Sequence, residues 1–379
     1  MTAAKPDKIF FENLDGWRFF CFLSVFLYHS FHTNLANISS NPVYHFVKHS
    51  LFGNGNLGVN FFFVLSGFLI TFLLLEEKEQ KARINIPYFW LRRILRIWPL
   101  YFFCVFFGFV LFPLLKQAMG QTAHETANPL FFLTFTSNFD LFINGLPDSS
   151  VLGVLWSVAI EEQFYLVWPL VIAFVPFKKL PFVFAGIVGV SWVFRVLYDT
   201  PMYHEYHSLS CMADMAMGAW GTHLMKTNRG RQIAENLPPV FLWALYLLFF
   251  AIFFFRDNLL PGNVLFRMTE RSITALLITG IIAEQCFCRR SLYKMKNFTL
   301  ATKLGLITYG LYCLHFIGIL TALTITQQLH LNTQPWQVLI LETLLALFIS
   351  VVIAGISYRW FETPFLRLKD RFAFIHKGR

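Results

Sequence analysis

A soluble chain of 379 residues would form two or three domains, but this composition excludes that. Apolar residues make up 56% and charged residues 14%, against roughly 45–50% and about 25% in soluble proteins. So little charge cannot cover a soluble surface, so lipid is the solvent along much of the chain; disorder, a disulfide-rich secreted module and a nucleic-acid binder are excluded, and the net charge of +10 reads as basic cytoplasmic loops.

Ten apolar segments follow in chain order: 17–36, 57–75, 98–115, 153–175, 180–198, 208–225, 238–255, 269–287, 304–326 and 336–358. The first is the weakest span, because it is short and contains Arg18 and His29. A cleaved signal peptide is its rival, disfavoured by the bulky aromatics and the lack of an A-x-A site. With the N-terminus in the cytoplasm and all ten segments spanning, 25 of the 31 Lys and Arg fall on the cytoplasmic side. Only Lys48, Lys116, Arg195, Arg256, Arg267 and Arg271 fall elsewhere. That asymmetry predicts both termini inside and an even number of helices. The expected fold is an all-α membrane bundle of about ten transmembrane helices. It forms one domain over 1–379 with a core at about 9–368, since no linker or repeat interrupts it. The longest outer segment, about 116–152, is expected to cover the outer face as a lid or acceptor platform. The six Cys lie mostly in apolar runs and read as packing thiols, and Cys286 and Cys288 lack the second pair that a zinc site needs.

Ionisable groups inside such spans are costly and mark function. Arg18 and His29 are eleven residues apart, which places them within about 20° on one helix face and roughly 16 Å apart along it. The competing reading is a snorkelling Arg and a helix-end His. The run Leu57–Thr71 carries Gly58, Ser66 and Gly67, which suit close helix packing as well as a site. Arg92, Arg93 and Arg96 stand where the second loop enters the third segment; three guanidiniums there suit a phosphate-bearing ligand or lipid headgroups. Glu161 and Glu162 open the fourth segment. Glu161 shares a face with Tyr165 at i, i+4, and its carboxylate is a candidate to orient a histidine. Thr308, Tyr312 and His315 repeat at i, i+4, i+7 on the ninth segment, an arrangement equally open to polar packing. Glu362 is a candidate partner for a loop Arg. The remaining histidines show no convincing metal-ligand spacing, so no metal is expected. No phosphate-binding loop, dinucleotide fingerprint or H-E-x-x-H motif is present.

These pieces resemble the acyltransferase 3 family of integral membrane acyltransferases. The matches are Leu14-Asp-Gly-Trp-Arg18 with His29, Gly58-Val-Asn-Phe-Phe-Phe-Val-Leu-Ser-Gly67, Arg93-Ile-Leu-Arg96 with Trp98-Pro-Leu-Tyr101, and Leu155-Trp-Ser157 with Glu161-Glu-Gln-Phe-Tyr165. Leu304-Gly305, Tyr309-Gly-Leu-Tyr312 with His315, and Ser357-Tyr-Arg359 with Glu362-Thr-Pro-Phe365 complete the set. Asn60 departs from an acidic residue frequent in that family, and Trp17 and Phe19 from smaller ones.

The resemblance implies acyl transfer, commonly of acetyl, from acyl-CoA to a hydroxyl of a carbohydrate or lipid-linked glycan, in a bacterial inner membrane. No tightly bound cofactor is expected; acyl-CoA is a co-substrate. Members with an extra esterase-like domain exist, and this chain is expected to be a stand-alone form. On this expectation Arg18, Arg92, Arg93 and Arg96, with Tyr312 and His315, bind the donor or acceptor. His29 is general base or transient acyl carrier, Glu161 orients it, and Tyr165 and Ser66 position the reacting groups. The rival class is a polytopic transporter or flippase for a glycan precursor, with the buried Arg, His and Glu forming its path. A structural subunit of an export complex is a third.

Overall fold

In the computed structural model the described residues are 11–259 and 264–372. Their regular elements are all helices, with no strand among them. Ten long helices correspond to the ten apolar segments. These are α1 (Glu12–Tyr28), α2 (Leu57–Lys81), α3 (Ile86–Phe106), α4 (Leu155–Phe174) and α5 (Leu180–Leu197). They continue with α6 (Ser208–Lys226), α7 (Pro239–Leu259), α8 (Val264–Phe287), α9 (Thr308–Gln328) and α10 (Thr343–Ile356).

Seven helical runs are long and apolar enough to cross a membrane: those containing α2, α3, α4, α5, α7, α9 and α10. The other three are shorter or more polar. Helix α1 has 17 residues. Helices α6 and α8 carry Asp214, Glu270 and Arg271, all buried. Those charges meet one another inside the bundle. Arg271 pairs with Asp214 at 2.8 Å, and Glu270 accepts from Arg195 at 3.0 Å and from Arg256 at 2.6 Å. A helix whose polar groups are satisfied by neighbours need not be apolar to sit among lipid-facing helices.

Helix α2 is the hub and packs against α1, α4, α6 and α8. Its approach to α6 is governed by two glycines. A Cβ on Gly67 would run into the Met215 carbonyl, and one on Gly218 into the Val64 carbonyl. Small residues at these crossings let the backbones touch. Helix α2 stops at Ala82, which takes left-handed φ of 58°. Helix α3 then starts earlier than the apolar pattern predicted. The Asn85 side chain caps Tyr88 N at 3.1 Å and Pro87 occupies the first turn. Arg92, Arg93 and Arg96 are therefore helical residues, not loop residues at an entrance. At the same end, Lys78 Nζ donates to the carbonyls of Ile172 (2.7 Å), Ala173 (2.9 Å) and Val175 (3.3 Å). It so satisfies the last carbonyls of α4, which lack intrahelical partners. This end, holding the close of α2, α4 and α6 and the start of α3 and α9, is the basic end of the bundle.

The first span also ends early. The 17–36 segment leaves the helix at Tyr28, and Phe31 adopts φ of 66°. The Phe31 carbonyl accepts from Tyr44 Oη at 2.5 Å and from Lys48 Nζ at 3.1 Å, so two donors hold the turn in a conformation that a bulky residue rarely adopts. The segment after α3 departs from the lid that its composition suggested. Two short helices, Pro129–Leu133 and Ser137–Asn144, pack against the middles of α3 and α4. Tyr101 Oη donates to Phe132 O at 2.8 Å, and Gln163 Nε2 to Phe135 O and Asn138 Oδ1, both at 2.9 Å. Gln163 is eight residues past the start of α4, roughly 12 Å along it, so this segment is wedged between helices and does not lie across their ends. All six Cys are free thiols, five of them buried.

Candidate active site

A cavity of about 500 Å³ opens within the basic half of the bundle. Its wall mixes two chemistries. Part of it is apolar, from Leu14, Val59, Phe62, Phe63, Leu69 and Ile70. The rest includes Arg18, Arg93, Arg96, Glu161, Tyr165 and Ser66, with Glu77, Arg92, Glu362 and Lys369 toward the basic end.

Each arginine is held differently. Arg18 pairs with Asp15 three residues before it, a buried carboxylate on the same helix face. Arg92 bonds Glu77 at 3.3 Å and the Phe372 carbonyl at 2.9 Å, which ties α3 to the turn that follows the short helix Thr363–Asp370. Arg93 lies over two rings, 5.6 Å from Phe89 and 5.8 Å from Tyr165, and its buried Nε has no hydrogen-bond partner. Arg96 is exposed to the cavity, with no ion pair to it among the described residues. Arg93 and Arg96 thus keep donor capacity that the protein does not use, the arrangement a planar guanidinium needs to receive an oxyanion.

Glu161, Ser66 and Tyr165 form a chain on the cavity wall. Ser66 Oγ donates to Glu161 Oε1 at 2.5 Å, and Tyr165 Oη donates to Ser66 Oγ at 3.1 Å. Helix periodicity brings Glu161 and Tyr165 to one face, as the sequence implied, and the α2–α4 packing adds Ser66. The neighbouring Glu162 turns away and accepts from Trp98 Nε1 at 2.9 Å. Glu362 lines the cavity and accepts from Ser357 Oγ at 2.9 Å; its partner is a hydroxyl on its own turn, not the loop arginine expected.

His29 is not beside Glu161. It closes the last turn of α1 and meets His315 of α9, with His29 Nδ1 and His315 Nε2 3.0 Å apart and the rings stacked at 14°. His315 is fully buried among Phe22, Phe26 and Phe316. Its Nδ1 lies 2.7 Å from the Tyr312 carbonyl. A carbonyl only accepts, so Nδ1 of His315 carries its proton. In the neutral ring Nε2 is then an acceptor, and His29 donates to it from Nδ1. The second nitrogen of His29, Nε2, is left with its lone pair free. The order Tyr312 carbonyl, His315, His29 therefore fixes the tautomer of His29 as a base, as a buried carbonyl or carboxylate does in other histidine sites.

The cavity stops short of this pair. Tyr312 lines the cavity, and neither His29 nor His315 is among the described residues that do. Tyr312 Oη shares a 2.6 Å hydrogen bond with Ser157 Oγ. Ser157 was absent from the sequence-based candidates. The available signal was its position four residues before Glu161, on the same helix face. Thr308, the third member of the α9 pattern, also lines the cavity, and its hydroxyl bonds back to the Leu304 carbonyl. Of the sequence-predicted site residues, Arg18, Arg92, Arg93, Arg96, Ser66, Glu161, Tyr165 and Tyr312 share one cavity, while His29 and His315 form a pair beyond its wall.

No solved structure matches the chain. OatA of Listeria monocytogenes, named a peptidoglycan O-acetyltransferase, is 27% identical over 414 residues, covering 100% of this chain and 60% of the relative. OatA of Staphylococcus aureus (strain NCTC 8325), named an O-acetyltransferase, is 27% identical over 395 residues, covering 97% and 59%. YrhL of Bacillus subtilis is 27% identical over 396 residues, covering 97% and 57%. The chain thus spans less than two thirds of the length of these relatives. A family described as the acyltransferase domain matches residues 11–359, nearly the whole chain, with the histidine pair and the cavity's Arg18, Ser66, Arg93, Arg96, Glu161 and Tyr165 inside the match, and the protein belongs to that acyltransferase family.

Proposed function

We propose that this chain is a multi-pass O-acyltransferase of a bacterial plasma membrane. It moves an acyl group, acetyl in the first instance, from acyl-CoA entering at the basic end to a hydroxyl of a carbohydrate or lipid-linked glycan. The basic end is cytosolic on this reading, in line with the Lys and Arg asymmetry. The observation that carries the proposal is the Tyr312–His315–His29 chain, which leaves His29 Nε2 free as a base, with His315 one turn of α9 past the wall of a cation-bearing cavity at Tyr312.

In the proposed reaction the CoA phosphates meet Arg93 and Arg96, whose donors are unused, and Arg18 stands beside them. The pantetheine arm follows the cavity toward Tyr312 and Ser157. Ser157 lies four residues from Glu161 on α4, so the arm advances roughly 6 Å between those levels. The acceptor hydroxyl gives its proton to His29 Nε2 as its oxygen attacks the thioester carbon. The C–S bond breaks, and the thiolate leaves and takes up a proton. His315 stabilises the imidazolium by accepting from Nδ1. A thioester is already activated, so positioning plus a base suffices, the base supplying roughly 10²–10⁴-fold. Glu161, through Ser66 and Tyr165, holds the cavity wall beside Arg93 and does not touch His29.

The relatives' printed names support a peptidoglycan-type glycan as acceptor. The test is purified full-length chain in lipid nanodiscs with labelled acetyl-CoA and peptidoglycan-derived glycan fragments. Labelled, esterified glycan formed by wild type and lost in His29→Ala is the expected result. Wild-type protein that moves glycan across vesicles with no covalent change supports a flippase instead.

A further inference from the structure

We infer that the Tyr312 side chain is a movable partition between the donor cavity and the histidine pair, and that it keeps water from a bound thioester until an acceptor is seated. This rests on the donor reading above.

Four observations carry it. Tyr312 belongs to the cavity wall, and His315 lies one turn further along α9, about 4.5 Å in rise. The Tyr312 ring stands 6.2 Å from the His315 ring and 6.1 Å from the ring of Phe62, a cavity residue. Its hydroxyl is latched to Ser157 Oγ at 2.6 Å and reaches the Val154 carbonyl at 3.3 Å. His29, beyond the partition, is half-buried beside exposed Tyr28 and His32, so solvent has access to that side.

In this conformation a thioester carbon in the cavity and an acceptor oxygen on His29 Nε2 are separated by the ring. They come within bonding range only when the ring turns aside. The restraint on the hydroxyl is local: a neutral hydrogen bond to Ser157 and a longer one to the Val154 carbonyl, with the backbone carbonyl of Tyr312 committed to His315 and unaffected by side-chain rotation. Rotation would thus open the path and leave the tautomer of His29 unchanged. Closed, the ring excludes the competing reaction. In that reaction a water oxygen bonds to the acyl carbon, the C–S bond breaks, the thiolate takes the water's proton and the free acid leaves. Exclusion of water from a reactive intermediate is a recognised use of such closures.

The experiment uses the full chain in nanodiscs with acetyl-CoA and no acceptor. Free CoA thiol is followed with a colorimetric thiol reagent, and bound labelled acetyl-CoA is measured in parallel. Wild type should release CoA slowly. Tyr312→Ala should release it about tenfold faster or more, and Ser157→Ala, which keeps the ring but removes the latch, should fall between. Unchanged release from both variants with normal acetyl-CoA binding overturns the partition and leaves the donor reading standing. Absent acetyl-CoA binding by wild type overturns both. If Tyr312→Ala does not fold, Ser157→Ala decides alone: faster release than wild type supports the partition and equal release overturns it.

Discussion

Substituting His315 by Phe keeps a flat ring among Phe22, Phe26 and Phe316 and removes the acceptor 3.0 Å from His29 Nδ1. Two things follow. The tautomer of His29 is no longer set, so part of the population carries its proton on the nitrogen that must act as base. The imidazolium formed in the reaction also loses its partner. A hydrogen bond to a charged group contributes about 1.5–3 kcal/mol. At 1.36 kcal/mol per factor of ten, kcat should fall between about tenfold and a little over a hundredfold. Neither histidine lines the cavity among the described residues, so KM for the acyl donor should hold. His315→Gln, whose side-chain oxygen can accept, should recover part of the rate. The assay is steady-state transfer of labelled acetyl to glycan by nanodisc-held protein, with thermal melting to confirm that each variant is folded. A His315→Phe enzyme with kcat within twofold of wild type, or with the whole loss in KM, would refute the tautomer reasoning.

Arg93→Ala combined with Arg96→Ala should weaken acetyl-CoA binding by roughly ten- to a hundredfold, since each removes a charged donor facing the cavity; equilibrium binding of labelled acetyl-CoA checks this. Ser66→Ala breaks the Glu161 hydrogen bond and leaves a half-buried carboxylate short of a donor, so the melting temperature should drop along with kcat. Gly67→Ala forces α2 away from the Met215 carbonyl of α6; an unfolding measurement should show a loss of about 1–3 kcal/mol. The Asp148 carboxylate lies beyond the spans. Burial alone would raise it, but the Lys116 ammonium at 2.5 Å and the His124 amide outweigh that and hold it below its ordinary value. A depressed carboxyl stabilises the fold above its unfolded value and loses that contribution as pH falls through the folded one. Amide protection factors over residues 116–149, taken against the intrinsic exchange rate at each pH, should therefore fall at acid pH, and Asp148→Asn should flatten that fall.

Hydropathy predicted the position of every long helix because burial in lipid demands a continuous apolar run, which is a local property. It failed at boundaries that side chains decide. The Asn85 cap starts α3 before its apolar stretch, and the Tyr44 and Lys48 donors to Phe31 end α1 within one. It also missed the inward course of 129–144, whose placement depends on Tyr101 and Gln163 in helices distant in sequence.

The site divides along the same line. Arg18 and His29 on one helix face, the α3 arginines, and Glu161 with Tyr165 were legible because helical geometry converts spacing into facing. The residues joined across helices were not. Glu161 was the sequence's choice of partner for His29, and packing gave it Ser66 instead. His29 and His315 are separated by 286 residues, and no periodicity relates them. The amino-acid sequence alone determined a membrane bundle, the order of its helices and which residues carry charge into it. Only the packing of α9 against α1 decided which nitrogen of His29 is free to act, because a tautomer is set by the atom that the ring meets across the helix interface.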